Sequence, residues 1–323
     1  MAIDLTTRYD PYVDELFTTE SKTALLTNKD FDFDGAHSVK IRKVHTSAMN
    51  DYGRNGPASG NWSRFGSISE LDTEPETFTL EKDRSFTFSI DKMNEDETNG
   101  AVAGASALAR QLREVVVPEV DTYTLEKIAA GAGTVDFEAL TVENIYTKII
   151  AANNILDNAE VPEVGRVLVV TPDTLLLMKQ NKIIVMETET GSEIVRSGVM
   201  GLLDGMVVLR VPANRLTSGI GFMIVHPVAT VGVEKLNDYR IHADPPGISG
   251  SLVEGRIVYD AFVLDNKRMA IYVNMNATYT AVENPTGNPK EKGYYEKDGS
   301  GYDAFKLTPD TSVTTGKTYY EMA

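Results

Sequence analysis

The chain has 323 residues, 42% of them apolar and 24% charged, with no cysteine and a formal net charge of −16 at pH 7. This is enough apolar material for one large domain or two medium ones. The acidity argues against sequence-specific nucleic-acid binding, which favours the opposite charge, and the missing cysteines exclude disulfides, thiolate nucleophiles and zinc–cysteine sites. The opening "MAIDLTTRYDPYVDELF" lacks a basic and an apolar region and is no signal peptide. No run of 18 apolar residues is present, so no membrane partner is expected.

Within residues 1–28, Tyr9, Tyr12, Val13, Leu16 and Phe17 are spaced for a short amphipathic helix, an arm in need of a partner surface. "HSVKIRKVHT" (37–46) alternates as a strand, and "ETFTLEKDRSFTFSID" (76–91) reads as a second strand region. Between them lies a long Gly-, Asn- and Ser-rich stretch (47–67), so the pair forms an extended hairpin with a reaching tip. Residues 37–66 carry Lys40, Arg42, Lys43, Arg54 and Arg64 against one acid, Asp51, whereas 67–98 are strongly acidic. A basic projection beside an acidic region suggests that copies of the chain dock on one another.

Residues 99–130 read as one long helix. Val102, Ala105, Ala109, Leu112, Val116, Val120 and Tyr123 mark its apolar stripe, with Asp121 off it. Pro118 should bend or interrupt this rod, and "GAGT" (131–134) should end it with a glycine cap. A second helix is expected over 141–158, with Ile145, Ile149, Ala152 and Leu156 in register. A strand then a helix are expected in 165–182, with Thr171 as N-cap and Pro172 as the first helical residue. Strands are read at 205–212, 221–227 and 230–236, a loop at 239–250, and strands at 257–264 and 269–273 around "DNKR". Beyond 280, a Pro/Gly/Asn-rich linker leads into a small β-rich appendage in which Tyr-Tyr-Glu occurs twice.

Several motifs fail on their own chemistry. "DFDFDG" (30–35) opens like a calcium loop, but the twelfth position, which needs a bidentate Glu, is Ile41. "GKT" (316–318) lacks the preceding glycine of a phosphate loop, since position 311 is Thr. His37, His45, His226 and His242 are scattered without metal-ligand spacing, and "GISGS" (247–251) is one residue short of a nucleophile elbow. No catalytic residue, cofactor site or metal site is assigned.

The order of elements resembles one family. "MNDYGRNG" in the tip, "DRSFTFSIDKMNEDET" leading into the rod, "VVVPEVDTYTLEKIAAGAG" within it, "RVLVVTPDTLLLMKQ", and "DYRIHADPPGISGSLVEGRIVYDAFVLDNKRMAIYV" together are similar to tailed-bacteriophage major capsid proteins with the Hong Kong 97-type fold, from phages of Gram-positive hosts. The resemblance covers roughly residues 1–280. It implies an α+β fold with an N-terminal arm (1–34), an extended loop and the start of a peripheral domain (35–98), a spine helix (99–134), an axial domain (135–250), return strands (251–280) and the appendage (281–323). It implies a coat protein of the virion, assembled in the host cytoplasm with itself as pentamers and hexamers around double-stranded DNA. A separate scaffolding protein and a portal are the further expected partners, and no covalent crosslinking is expected. Arg54, Trp62 and Arg64, with Lys40 and Arg42, are the expected subunit contacts. The competing readings are an encapsulin-like compartment shell, a carboxylate-dependent hydrolase and a binding module centred on the tail.

Overall fold

A computed structural model of the chain describes residues 21–28, 38–44, 46–57, 62–67, 70, 73–97, 104–181, 199–298 and 304–322. The expected arm helix, the "DFDFDG" stretch, His37 and His45 lie outside the described residues. Two compact units emerge: residues 33–81, and a body of residues 1–32 and 82–323.

The smaller unit is a hairpin. Strand β1 (Ser38–Val44) pairs antiparallel with β2 (Thr73–Thr79) through seven residue pairs. The stretch expected as one strand over 76–91 is thus divided. Its first part belongs to β2, and β3 (Lys82–Asp91) starts after a break at Leu80–Glu81 and pairs with a strand of the body.

In the body, β3 is followed by the short helix α1 (Lys92–Glu97) and then by the rod. The rod consists of α2 (Gly104–Gln111), a π-helical turn (Leu112–Val116) and α3 (Val117–Ala130). Pro118 cannot donate an amide to a carbonyl one turn back. The ladder slips just before it, and the Val117 amide donates to Leu112 O, five residues back. A π turn adds one residue per turn, rotating the downstream helix by about 100° relative to an unbroken one. The expected stripe is therefore one residue out of phase: Val116, Val120 and Tyr123 are only half-buried, and the buried face of α3 is Asp121, Thr124, Leu125, Ile128 and Ala129. Ala109 is exposed.

Gly131 does end α3, but not in the left-handed conformation, since its φ is −83°. Glycine is needed there for close approach: a Cβ would lie 2.5 Å from the Val263 side chain, and one on Gly133 would lie 2.6 Å from the Arg268 backbone. We expect Gly131→Ala to cost about 1–3 kcal/mol through overpacking, read from urea unfolding midpoints. An unchanged midpoint would show that Val263 moves aside freely.

After β4 (Thr134–Phe137), α4 (Ile145–Asn158) buries Ile145, Ile149, Ala152 and Leu156 as its periodicity predicts. Strand β5 (Val167–Val170) leads into α5 (Pro172–Gln180), whose N-cap Thr171 accepts from the Thr174 amide. Strands β6 (Val199–Leu203), β7 (Met206–Arg210) and β8 (Ile220–Val225) follow. The long strands β9 (Thr230–Ala243) and β10 (Gly250–Val263) come next, then β11 (Ile271–Met275). The loop expected at 239–250 shrinks to Asp244–Ser249, because β9 continues in register with β10 through Ala243. The second of the two strands likewise begins at Gly250, not Ile257.

Two sheets organise the body. A mixed sheet runs β4-β11-β8-β5-β7-β6. Its central strand β5 is buried on both sides, which explains the unbroken "VLVV". Val167 and Val169 face a core shared with Leu125, Ile128 and Leu26, and Leu168 and Val170 face one built on α4 and α5. The second sheet, β3-β10-β9, lies along the rod. The segment 21–28 is fastened to this body: Leu26 is fully buried, and Ser21 Oγ, the Lys22 amide and Thr23 Oγ1 all donate to Asp121.

The C-terminal residues add a four-stranded sheet, with β12 (Tyr279–Ala281), β13 (Tyr295–Lys297), β14 (Phe305–Leu307) and β15 (Tyr320–Met322) in the order β12-β15-β13-β14. The two Tyr-Tyr-Glu copies meet, Tyr295 pairing with Tyr320. Phe305 stacks on Tyr279 at 4.0 Å and meets Phe137 of β4 edge-on at 4.9 Å. The appendage is thus packed onto the body through aromatic rings. Behind the sheet, Asp310 accepts from Tyr319 Oη (2.7 Å) and Lys317 Nζ (2.9 Å), and Lys317 also pairs with Glu296.

The hydrogen bond from Tyr319, followed by that from Lys317, holds the Asp310 carboxyl below its usual pKa. A lowered carboxylate pKa stabilises above the unfolded value and is lost as pH falls through the folded one. The melting temperature of the wild type should therefore exceed that of Asp310→Asn at neutral pH. The gap should close only below about pH 4. A gap that stays constant to about pH 2 would show that the carboxylate's charge is irrelevant.

Candidate assembly interface

The site expected from the sequence lies on the hairpin. Along β1, Lys40 stands opposite Thr77 and Arg42 opposite Pro75, both side chains exposed, whereas Lys43 pairs with Glu76 at 3.4 Å. Part of the charge asymmetry is therefore neutralised within the hairpin itself. Arg54, Trp62 and Arg64 are brought together in the tip, with Lys40 and Arg42 back on the stem. None of the four cations Lys40, Arg42, Arg54 and Arg64 has an ion pair among the described residues.

The tip is a built structure. The Gly53 amide donates to Arg64 O at 2.9 Å, and the Gly56 amide to Gly53 O at 3.3 Å. A side chain on Gly53 would clash with Gly56 O, and Gly66 sits at φ +91°, so the glycines are dictated by the turn. Tyr52 meets Phe65 edge-on at 5.1 Å. Charge and composition alone did not reveal how apolar the tip is. Met49 is 100% exposed, Trp62 82% and Phe65 77%. The signal was there, as single apolar residues within a polar stretch, but without strand or helix periodicity to interpret them. Exposed apolar clusters of this kind mark interaction surfaces.

A second surface feature lies in the body, between the rod and the β3-β10-β9 sheet. It is a cavity of about 130 Å³ with apolar walls from Phe86, Val115, Val116, Val120 and Ile257. Arg84 Nε donates to Glu119 Oε1 at 2.7 Å at its edge, and Tyr259 Oη donates to the same oxygen at 3.2 Å. Burial, reinforced by the Glu119 charge, pushes the Tyr259 phenol up to about 12.

The acidic and basic groups inside the body are engaged in structure. Asp121, fully buried, also accepts from Arg215 Nη1 at 2.7 Å. Lys148 is held by Glu138 and Asp136, and its bond to Glu138 raises its pKa. Arg166, 1% exposed, donates to Asn153, Asp157, Val161 O and Pro162 O. His226 Nδ1 accepts from the Val228 amide, so Nε2 carries the proton shared with Val164 O. His242 lies 3.3 Å from Glu254. Among the described residues no group of three or more His, Asp or Glu could hold a metal ion, and no helix is long and apolar enough to cross a membrane.

No protein-family model and no curated protein sequence matches the chain. Solved structures do match along most of its length. A chain from the structure titled Mycobacterium phage Che8 superposes with a TM-score of 0.62 at 19% identity, covering 85% of this chain and 98% of that one. The capsid structure of cyanophage P-SCSP1u gives 0.61 at 12% identity, covering 84% and 93%. The mature capsid of bacteriophage PhiM1 gives 0.60 at 12% identity, covering 85% and 92%. The chain has the capsid fold of tailed phages. In particular, it has the Hong Kong 97-type arrangement of helix and sheet.

Proposed function

We propose that this chain is the major capsid protein of a tailed phage, a structural coat protein that assembles with itself into the icosahedral shell enclosing double-stranded DNA. The observation that carries the reading is a capsid fold spanning most of the chain, combined with a separate hairpin unit that ends in exposed aromatic and cationic side chains. On this reading residues 35–98 hold the extended loop, and 99–134 are the spine. Residues 135–250 form the axial domain, 251–280 return to the peripheral sheet, and 281–323 are an add-on to the common fold. Shell tiling needs extended elements and several modest interfaces rather than one pocket, and no catalytic role is proposed. A scaffolding protein and a portal are the proposed further partners, and the virion is the proposed location.

Negative-stain microscopy of the purified protein, expressed alone and with its neighbouring open reading frames, tests this. Closed polyhedral shells or capsid-like tubes are expected. A monodisperse monomer under every condition would remove the coat assignment. Shells filled with a host enzyme instead of DNA would move it to a compartment protein.

A further inference from the structure

We infer that Asn55 is a self-modification site, where the Gly56 backbone nitrogen attacks the side-chain amide and converts Asn55 to aspartate or isoaspartate in the free subunit. This chemistry is independent of the coat-protein reading; its consequence for assembly rests on that reading. Arg54 and Asn55 are the central residues of a turn closed by the Gly56 amide on Gly53 O at 3.3 Å, and both side chains are exposed. Asparagine and glycine suit such turns, and in this order they are also reactive. The attack closes a five-membered ring between Asn55 Cγ and the next backbone nitrogen, and a side chain on that next residue would hinder it. Gly56 has none, and nothing lies within 4 Å of where its Cβ would stand. Its φ of +132° favours glycine, so the turn that shapes the tip also dictates the residue that makes Asn55 reactive. Asn50, exposed in the same tip, differs on both counts. Asp51 follows it, and its side chain lies over Gly66, where a Cβ would come within 2.6 Å of it.

The reaction needs only solvent water. The Gly56 nitrogen gives up its proton and bonds to Asn55 Cγ, the Cγ–Nδ2 bond breaks, and ammonia leaves with that proton. Water then opens the cyclic imide. Attack at Cγ gives aspartate, and attack at the Asn55 main-chain carbonyl gives isoaspartate, with one more carbon in the backbone. An amide nitrogen is exchanged for oxygen and nothing is oxidised or reduced. The brake is the hydrogen bond that the Gly56 amide must leave. At 3.3 Å it is longer than the usual range, and such a bond slows the step by no more than about tenfold. Either product adds a carboxylate that is ionised at neutral pH. Residues 47–67 hold two cations, Arg54 and Arg64, against one acid, Asp51, so the new charge cancels the net positive charge of the tip. Isoaspartate also lengthens the chain between Gly53 and Arg64, whose 2.9 Å backbone bond ties the tip. On the coat-protein reading, an aged free subunit therefore presents a less complementary tip to its strongly acidic neighbours.

Peptide mapping by mass spectrometry of the full chain, held unassembled in mildly alkaline buffer, tests the chemistry. It follows Asn55, Asn50 and the other Asn-Gly pair of the sequence, Asn99-Gly100, as separate peptides. Asn55 should convert at a rate within about tenfold of that in a synthetic peptide of residues 52–57, and well before Asn50. Asn55→Gln, whose longer side chain cannot close the five-membered ring, should stay unmodified at that position. A rate more than about tenfold below the peptide's, or earlier conversion of Asn50, would overturn the inference. For the consequence, Asn55→Asp should assemble severalfold more slowly than wild type by light scattering, and Asn55→Gln like wild type. Equal assembly of all three would overturn the effect on the shell. Absence of shells from all three would remove the coat reading, while the mass spectra still decide the chemistry.

Discussion

Replacing Asp121 with alanine is expected to lower the unfolding free energy by about 3–5 kcal/mol, the usual result of removing one member of a buried ion pair. The carboxylate is fully buried and Arg215 is 4% exposed. The substitution removes the Asp121 counter-charge from the guanidinium and deprives Ser21, Lys22 and Thr23 of their shared acceptor. The segment 21–28 should then loosen, exposing Leu26. The double variant Asp121→Ala/Arg215→Ala should cost clearly less than the sum of the two single variants, since the stranded charge goes with its partner. Urea unfolding of all four proteins checks this. A single-variant loss under about 1 kcal/mol, or strict additivity, would show that the pair is hydrated and not a clasp.

Asp121 also shows where sequence reading reached its limit. Periodicity placed it on the solvent side of the rod, and that argument was sound for an uninterrupted 3.6-residue repeat. The π turn before Pro118 shifts the phase by one residue, and nothing in "LREVVVPEV" marks a π turn as opposed to a kink. The helix at 145–158, the Thr171 cap and the β5 run were readable, because each depends on local periodicity or local hydrogen bonding. The long β9–β10 pair was read too short. Arg240, His242, Glu254 and Arg256 sit on its exposed side, and "DPPG" drew the loop inward by several residues. The division of 76–91 between two sheets was invisible for a related reason: alternation continues through Leu80 and Glu81, and the partner of each half is decided by residues far away in sequence. For the candidate interface, composition pointed to the tip and its arginines. The recess beside the rod depends on the π turn and could not be read from the sequence.

Reversing both tip arginines, Arg54→Glu with Arg64→Glu, is expected to abolish shells at concentrations where the wild type assembles, while leaving the urea midpoint within about 0.5 kcal/mol of wild type. Both side chains are exposed and without an ion pair among the described residues, so folding has little to lose. Assembly has more, because on the proposed coat-protein reading the tip is a subunit contact that every copy of the shell repeats. A loss of about 1.4 kcal/mol per contact is a tenfold drop in that contact's association constant, and the loss repeats around every ring. The matched control Lys179→Glu/Lys290→Glu changes the net charge equally at two exposed positions of the body that do not line the recess. It should assemble, which separates a specific contact from general repulsion among acidic subunits. If both double variants assemble normally by light scattering and microscopy, the arginines are solvated and contribute nothing to the contact. If both fail, net charge alone governs the shell.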